Sequence, residues 1–472
     1  MLLENPAGPY AVGATTFALP IRPTHVIGTA ALRTETGQVT PALRLEEVSF
    51  TAYYPVSAAQ TKSHSNGSTG SRAESVRGYS RYAGISSFIL WPLVLFFGSL
   101  LQVLLWLIHP SQLNSELHFA DSRIPKRTAT PRNQNKSADP KNLRPPWPLV
   151  IFSHGLGGGG TTYSQICTHL ASSGKVVLAI EHRDGTSPIS RPLSEKTGKR
   201  YSQFYISPQE VVWDNGKDKV DIQEPRIALR TEQLELRKRE IYLGYSAFRK
   251  LVRTGEHGDL QTIEGSLLDS ASWAGDWVQC DEGVSLVGHS FGGATIFSML
   301  SDPSPKGFSR IPVSHGLVLD PWLEPLTSPG PEPFTDQHSP LSHPKLMVIN
   351  AEGFTLWKDH FKRLEEAVPA WPGSSLFTIV GARHVSFSDF PMLLPIPIRN
   401  SSAQPIMNVI KTLVLSFLDD TLPSAISSLT TRKPEIEDMR SGFWSKKTQR
   451  KLVGQPGDVV IHRWSSAVDV DT

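Results

Sequence analysis

The chain predicts an open, largely parallel α/β sheet with helices on both faces, and three observations carry that expectation. Short, continuous apolar runs recur along the chain, helical stretches separate the later ones, and one run passes through a glycine–serine turn straight into a helix. Continuous apolar strands are buried on both faces, which requires helices above and below them. In sheets of this kind the chemistry sits at the carboxyl ends of the strands.

In chain order the strand-like runs are 47–55 (EVSFTAYYP), 149–152 (LVIF), 175–180 (KVVLAI), 284–287 (VSLV), 316–319 (GLVL), 345–350 (KLMVIN) and 376–380 (LFTIV). Helical stretches are expected at 163–172, 229–250 and 295–301. The catalytic domain is expected to span 25–425. An insertion at 57–148 interrupts it, and a polar, then basic extension at 426–472 follows, ending in the strand-like DVVIHRW.

Composition narrows the field. A chain of 472 residues can bury a large core, and a net charge of +3 gives no field that would favour nucleic acid. Two cysteines, Cys167 and Cys280, give no disulfide framework and point to a reducing compartment. The N-terminus lacks a basic segment followed by an apolar core, so no secretory signal is seen and a cytoplasmic location is expected. Asn66, Asn135 and Asn400 begin N-x-S sequons, expected to stay unmodified without export.

The chemistry gathers around Gly288-His289-Ser290-Phe291-Gly292, a G-x-S-x-G. A strand that turns sharply into a helix strains its central residue, requires small neighbours, and lifts one hydroxyl to a helix N-terminus. A serine needs a base, an acid to orient the base, and donors for an oxyanion. In such sheets the partners follow in the order serine, acid, histidine. Asp320 ends the next apolar run, and His384 follows the last one. The competing acids Asp336 and Asp389 follow no apolar strand. For the oxyanion, Phe291 offers the backbone N–H after the nucleophile, and Leu156 offers the second from the loop SHGLGGGG. His182 and His289 show no metal-ligand spacing and read as packing residues. The loop lacks the G-K-[ST] of a phosphate cradle.

Six segments occur together in order: FSHGLG (152–157), IEHRDGT (180–186), RTEQLELRKREI (230–241), GHSFGGAT (288–295), LDPWLEPL (319–326) and GARHVSFSDF (381–390). The set resembles the plasma-type and intracellular type II platelet-activating-factor acetylhydrolases, the group VII phospholipases A2 of the α/β-hydrolase superfamily. The resemblance covers roughly 53–420 and is poor in 57–146 and 189–226. It implies an α/β-hydrolase fold and calcium-independent hydrolysis of the sn-2 acetyl or short, oxidised acyl ester of glycerophospholipids. It implies Ser290 as nucleophile, Asp320 as acid, His384 as base and Leu156 and Phe291 as oxyanion donors, with no cofactor or metal. Pro321 and the extra glycines after Gly157 depart from the family pattern and bear on the acyl pocket. A carboxylesterase acting on other small or polymeric esters would use the same triad. A catalytically idle, membrane-bound scaffold would have no need of all three residues.

From Ile85 to Ile108 the insertion reads ISSFILWPLVLFFGSLLQVLLWLI, uncharged and long enough to span a bilayer. A single span would put the strands before and after it on opposite sides of a membrane, so one-sided docking is expected. A buried cap and a true span are the alternatives. Trp91 and Trp106 suit an interface, and the basic segment 113–148 is either a solvated linker or a contact for anionic head groups. Residues 57–81, rich in Ser, Gly and Thr, are expected to form a flexible loop. The partners expected are therefore a phospholipid substrate and a membrane surface, with no nucleic acid.

Overall fold

The computed structural model describes residues 6–56, 72–84, 146–213, 224–263, 268–327, 330–335, 343–393, 400–440 and 448–464. Nine strands build the central sheet: β1 (Ala11–Val26), β2 (Arg44–Val56), β3 (Trp147–Ser153), β4 (Val176–Glu181), β5 (Val284–His289), β6 (Val313–Leu319), β7 (Lys345–Ala351), β8 (Ser375–Ile379) and β9 (Val459–Trp464). Their spatial order is β1-β2-β4-β3-β5-β6-β7-β8-β9, with short strands paired at the edges. The six from β4 to β8 run parallel, while β1, β2 and β9 are antiparallel to their neighbours. This is the α/β-hydrolase arrangement, a mostly parallel sheet between helical layers.

The side-chain alternation of the strands sorts the core into two layers. Leu149 and Ile151 face one side with Leu286, Val318 and Val348, while Val150 and Phe152 face the other with Val287, Leu317 and Ile349. The first layer is closed by helices Pro225–Thr254 and Phe291–Ser301, the second by Ser164–Ser172 and Ala403–Leu418. Each large apolar side chain buried there contributes about 1.5–3 kcal/mol. The long helix Pro225–Thr254 starts on a proline at its first position and stops at Gly255, whose φ of 76° is the left-handed conformation that caps a helix end.

Three boundaries differ from the sequence expectation. The sheet begins at Ala11, ahead of the expected start at 25, because β1 pairs along nearly its whole length with β2. Within 57–81, Arg72–Ala83 is a helix, and Gly78 packs so closely on the backbone of Pro188 that a Cβ would stand 2.6 Å from its carbonyl oxygen. Part of the extension at 426–472 belongs to the sheet, since β9 is zipped antiparallel onto β8 and Val459 and Val460 are fully buried. The apolar segment 85–108 and the basic segment as far as residue 145 lie outside the described residues. Among the described residues no helix is long and apolar enough to cross a membrane.

Candidate active site

The site assembles at the carboxyl ends of β3, β5, β6 and β8. Ser290 sits between β5 and the helix Phe291–Ser301 with φ 56° and ψ −117°, a strained conformation for a residue with a side chain. Its glycine neighbours have no alternative. A Cβ on Gly288 would stand 2.3 Å from the carbonyl oxygen of Gly292, and one on Gly292 would stand 2.0 Å from that of Ser153. The strain is held by the Ser290 N–H donating to the Leu319 carbonyl at 2.9 Å, and by Trp322 and Ala294 N–H groups donating to the Ser290 carbonyl.

Asp320 leaves β6 in the left-handed region, φ 46°, and is fully buried. One carboxylate oxygen accepts the Ala351 N–H at 2.7 Å, and the other meets His384 Nδ1 at 2.6 Å. Burial pushes the Asp320 carboxyl up from its ordinary range, while the hydrogen bond and charge of His384 pull the other way. His384 opens a single 3₁₀ turn after β8, and its Nε2 lies 2.9 Å from Ser290 Oγ. The ring is fixed on both sides: it stacks on Phe354 at 4.5 Å and 5°, and lies 4.6 Å from the ring of His289. The side chain is 37% exposed, so the line from acid to base to hydroxyl runs from the core to the surface.

The expected oxyanion donors lie on the two segments next to Ser290. Phe291 is the first residue of its helix, where N–H groups lack an internal acceptor and the dipole is positive. Among the described residues neither the Phe291 nor the Leu156 N–H has a protein acceptor. The loop before Leu156 lies against the nucleophile, since a Cβ on Gly155 would be 2.9 Å from that of Ser290. His289, Asp320 and His384 also present ligand atoms within 4.8 Å of one another. Both ring nitrogens of His384 are already engaged, however, so an ion there would have to break the line to Ser290.

Ser290, Asp320 and His384 therefore meet, with Phe291 and the loop carrying Leu156 next to Ser290. Asp389 does something else. It accepts the Ser164 and Gln165 N–H groups and the Ser164 hydroxyl at the start of helix Ser164–Ser172, and burial pushes its carboxyl up to about 7. Asp336 lies outside the described residues. His182 and His289 are buried packing residues, as expected.

Arg237 was not anticipated. From the middle of the long helix its guanidinium donates to Asp184, to the His154 carbonyl at 2.6 Å and to the Thr186 hydroxyl, and lies 4.5 Å over the Phe291 ring. It thus joins both oxyanion loops to the IEHRDGT segment. Burial pushes the Asp184 carboxyl up, but the Arg237 charge and the Thr186 and Arg237 hydrogen bonds outweigh it and hold the group below its usual range. A buried charge needs such a partner. Arg237 lies in the segment RTEQLELRKREI, one of the six that carry the resemblance, but nothing in the sequence singled it out there.

The model of the family described as platelet-activating factor acetylhydrolase, isoform II, matches residues 112–421. Platelet-activating factor acetylhydrolase of Canis lupus familiaris is 30% identical over 273 residues, 55% of this chain and 52% of the relative. That of Bos taurus is 30% identical over 249 residues, 52% of this chain and 48% of its own. A putative phospholipase A2 of Schizosaccharomyces pombe is 28% identical over 284 residues, 52% of this chain and 60% of its own. The chain spans about half the length of the curated relatives it matches. Among solved structures, a ferulic acid esterase from Streptomyces cinnamoneus covers 89% of this chain and 92% of its own, with 16% identity and a TM-score of 0.44. The chain belongs to the platelet-activating factor acetylhydrolase, isoform II, family.

Proposed function

We propose that, as a member of this family, the chain is a serine hydrolase that cleaves the sn-2 acetyl or short, oxidised acyl ester of glycerophospholipids. The observation that carries the reading is the continuous line Asp320–His384–Ser290, at 2.6 and 2.9 Å, beside two backbone N–H groups without an acceptor among the described residues. The names of the relatives, platelet-activating factor acetylhydrolase and putative phospholipase A2, support the substrate class.

His384 Nε2 takes the proton of Ser290 Oγ as that oxygen attacks the ester carbonyl, and Asp320 holds the Nδ1–H and stabilises the imidazolium. The Leu156 and Phe291 N–H groups receive the oxyanion. Collapse breaks the bond to the glycerol oxygen, which leaves as a lysophospholipid after taking the proton back from His384. Water then attacks the acyl-enzyme, giving up its proton to the same nitrogen; collapse breaks the bond to Ser290 Oγ, which takes that proton back, and the free acid departs. No step calls for a metal ion, so calcium independence is part of the reading.

Substrate must reach this site from a lipid surface. Tyr82, Trp357 and Val385, respectively 39%, 43% and 47% exposed, flank the site: Tyr82 by its hydrogen bond to the Leu156 carbonyl, Trp357 through Phe354, Val385 beside His384. We read this apolar rim as peripheral docking on a membrane, in which the segment 85–108 takes part.

The test is incubation with phosphatidylcholines of graded sn-2 length, with and without EDTA, alongside fluorophosphonate labelling. Release of acetyl and short acyl groups that EDTA does not slow, with the label on Ser290, is expected. Hydrolysis of simple carboxylic esters but of no phospholipid would replace the reading with that of a carboxylesterase.

A further inference from the structure

The Leu156 N–H is useful only if its peptide plane is turned the right way, and the buried His154 side chain holds that plane together with the Gly158 N–H, which also donates to the Gly155 carbonyl at 3.2 Å. The Gly155–Leu156 peptide is trans, so the Gly155 carbonyl and the Leu156 N–H point in opposite directions within one plane. His154 Nδ1 lies 2.9 Å from the Gly155 carbonyl oxygen. A carbonyl accepts only, so Nδ1 must carry a proton. The other nitrogen, Nε2, is 3.1 Å from the backbone N–H of His182, which donates only, so Nε2 must be bare. The two contacts leave one neutral tautomer. Burial, and then the charge of Arg237, hold the His154 imidazole down to about 3, so it stays neutral throughout the working range.

We propose that His154 is the positioning residue of the oxyanion hole: its Nδ1–H anchors the Gly155 carbonyl and so turns the Leu156 N–H toward the place the ester oxygen takes above Ser290. The proposal rests on the serine-hydrolase reading given above. With the proton on Nε2, two lone pairs would face each other across the His154–Gly155 contact. The Gly155 carbonyl would keep only the Gly158 N–H, and the peptide would be freed to turn a carbonyl toward the developing oxyanion. The rest of the loop is held to the same end. The Gly155 N–H donates to the Tyr163 hydroxyl at 3.1 Å, and the Gly157 N–H donates to the Thr186 carbonyl at 3.0 Å. The His182 amide that sets the tautomer is itself fixed through its side chain, between Ser153 Oγ at 2.8 Å and Glu240 at 2.6 Å.

Two substitutions separate the two contacts. In His154→Asn the side-chain amide nitrogen replaces the Nδ1 donor and the Nε2 acceptor is lost. In His154→Gln the amide oxygen can replace the acceptor and the donor is lost. Rates are measured per active site, counted by fluorophosphonate labelling, together with inhibition by a trifluoromethyl ketone, which forms a tetrahedral oxyanion on the serine. For His154→Gln, kcat should fall about a hundredfold or more at nearly constant KM, as for loss of one oxyanion donor, with the inhibitor weakening in step. His154→Asn should recover to within about tenfold of the parent. Equal losses in the two variants, or a kcat per labelled site unchanged in His154→Gln, would overturn the proposal. If neither variant folds, ¹⁵N spectra of the parent's imidazoles decide: a bare Nε2 and protonated Nδ1 from about pH 5 to about pH 9 are expected. A proton on Nε2 would overturn it. Absence of both labelling and ester hydrolysis in the parent would instead remove the hydrolase reading on which it rests.

Discussion

Two serine–histidine–carboxylate lines run through this protein with nearly the same spacing. Ser290, His384 and Asp320 are linked at 2.9 and 2.6 Å; Ser153, His182 and Glu240 are linked at 2.8 and 2.6 Å. Their surroundings differ. His384 is 37% exposed and Ser290 stands at a helix N-terminus, whereas Ser153, His182 and Glu240 are all fully buried. Burial pushes the Glu240 carboxyl well above its usual range and the His182 imidazole well below, so that pair is held with no net charge. A base that cannot become an imidazolium cannot accept a serine proton, and a serine with no access meets no ester. Hydrogen-bond distance alone does not make a nucleophile. Access, room for charge and oxyanion donors divide the first line, read as catalytic, from the second, which holds a loop in place.

The largest expected effects break this comparison at the serines. Ser290→Ala should lower turnover of a short-acyl phosphatidylcholine by about 10⁴–10⁶-fold and abolish fluorophosphonate labelling. Ser153→Ala should keep the label and lose no more than about tenfold, since one neutral hydrogen bond is worth only ~1 kcal/mol. Labelling of Ser153, or undiminished hydrolysis without Ser290, would reverse the assignment.

The acids sharpen it. Asp320→Asn should cost about 10⁴-fold, because an amide there no longer fixes the His384 tautomer or balances the imidazolium. Glu240→Gln should cost less than about tenfold, since its oxygen can still accept the Arg183 N–H and its amide can stand in for a neutral carboxyl toward His182. Similar kcat losses in the two variants would show that the buried line takes part in proton transfer.

The buried histidines should also leave a mark on stability. His154 is held down to about 3, and His182 and His289 well below 6.5, burial being the first cause in each. In the unfolded chain the same groups protonate near the ordinary 6.5. The folded state therefore binds fewer protons, and stability that is full above that value declines as pH falls toward 3. Raised carboxyls such as Asp389 and Glu240 act the other way, so the test is the difference between variants: between neutral pH and pH ~5 the thermal midpoint of His154→Asn should fall less, or rise more, than that of the parent. The same pH dependence in both proteins would mean that His154 protonates within the fold.

The smallest effect concerns access. Trp357→Ala should raise the apparent KM for phospholipid in vesicles about fivefold, the loss of ~1 kcal/mol of interfacial burial, and leave hydrolysis of a dissolved short-chain ester unchanged. Equal effects on both substrates would point to the Phe354–His384 stack rather than to the membrane.

The chain itself was enough to single out Ser290, Asp320, His384, Leu156 and Phe291 as candidates, because each lies beside a continuous apolar strand or a glycine-rich turn. Those are local signals, carried by neighbours in sequence. The parallel core from β3 to β8 was legible for the same reason. The edges were legible only in part: β1 contains Gly13, Thr15 and Thr16 and shifts register between Pro20 and His25, so it becomes a strand through its pairing with β2, while β9 read as strand-like but its place on β8 did not. Tertiary structure alone decided that Arg237 holds the oxyanion loops, that Asp389 caps a helix, and that Ser153, His182 and Glu240 form a second, sealed line. Ser153 and His182 are 29 residues apart and His182 and Glu240 are 58, with no local pattern linking them. Their contact, and the burial that keeps it neutral, exist only once β3, β4 and the long helix have packed together.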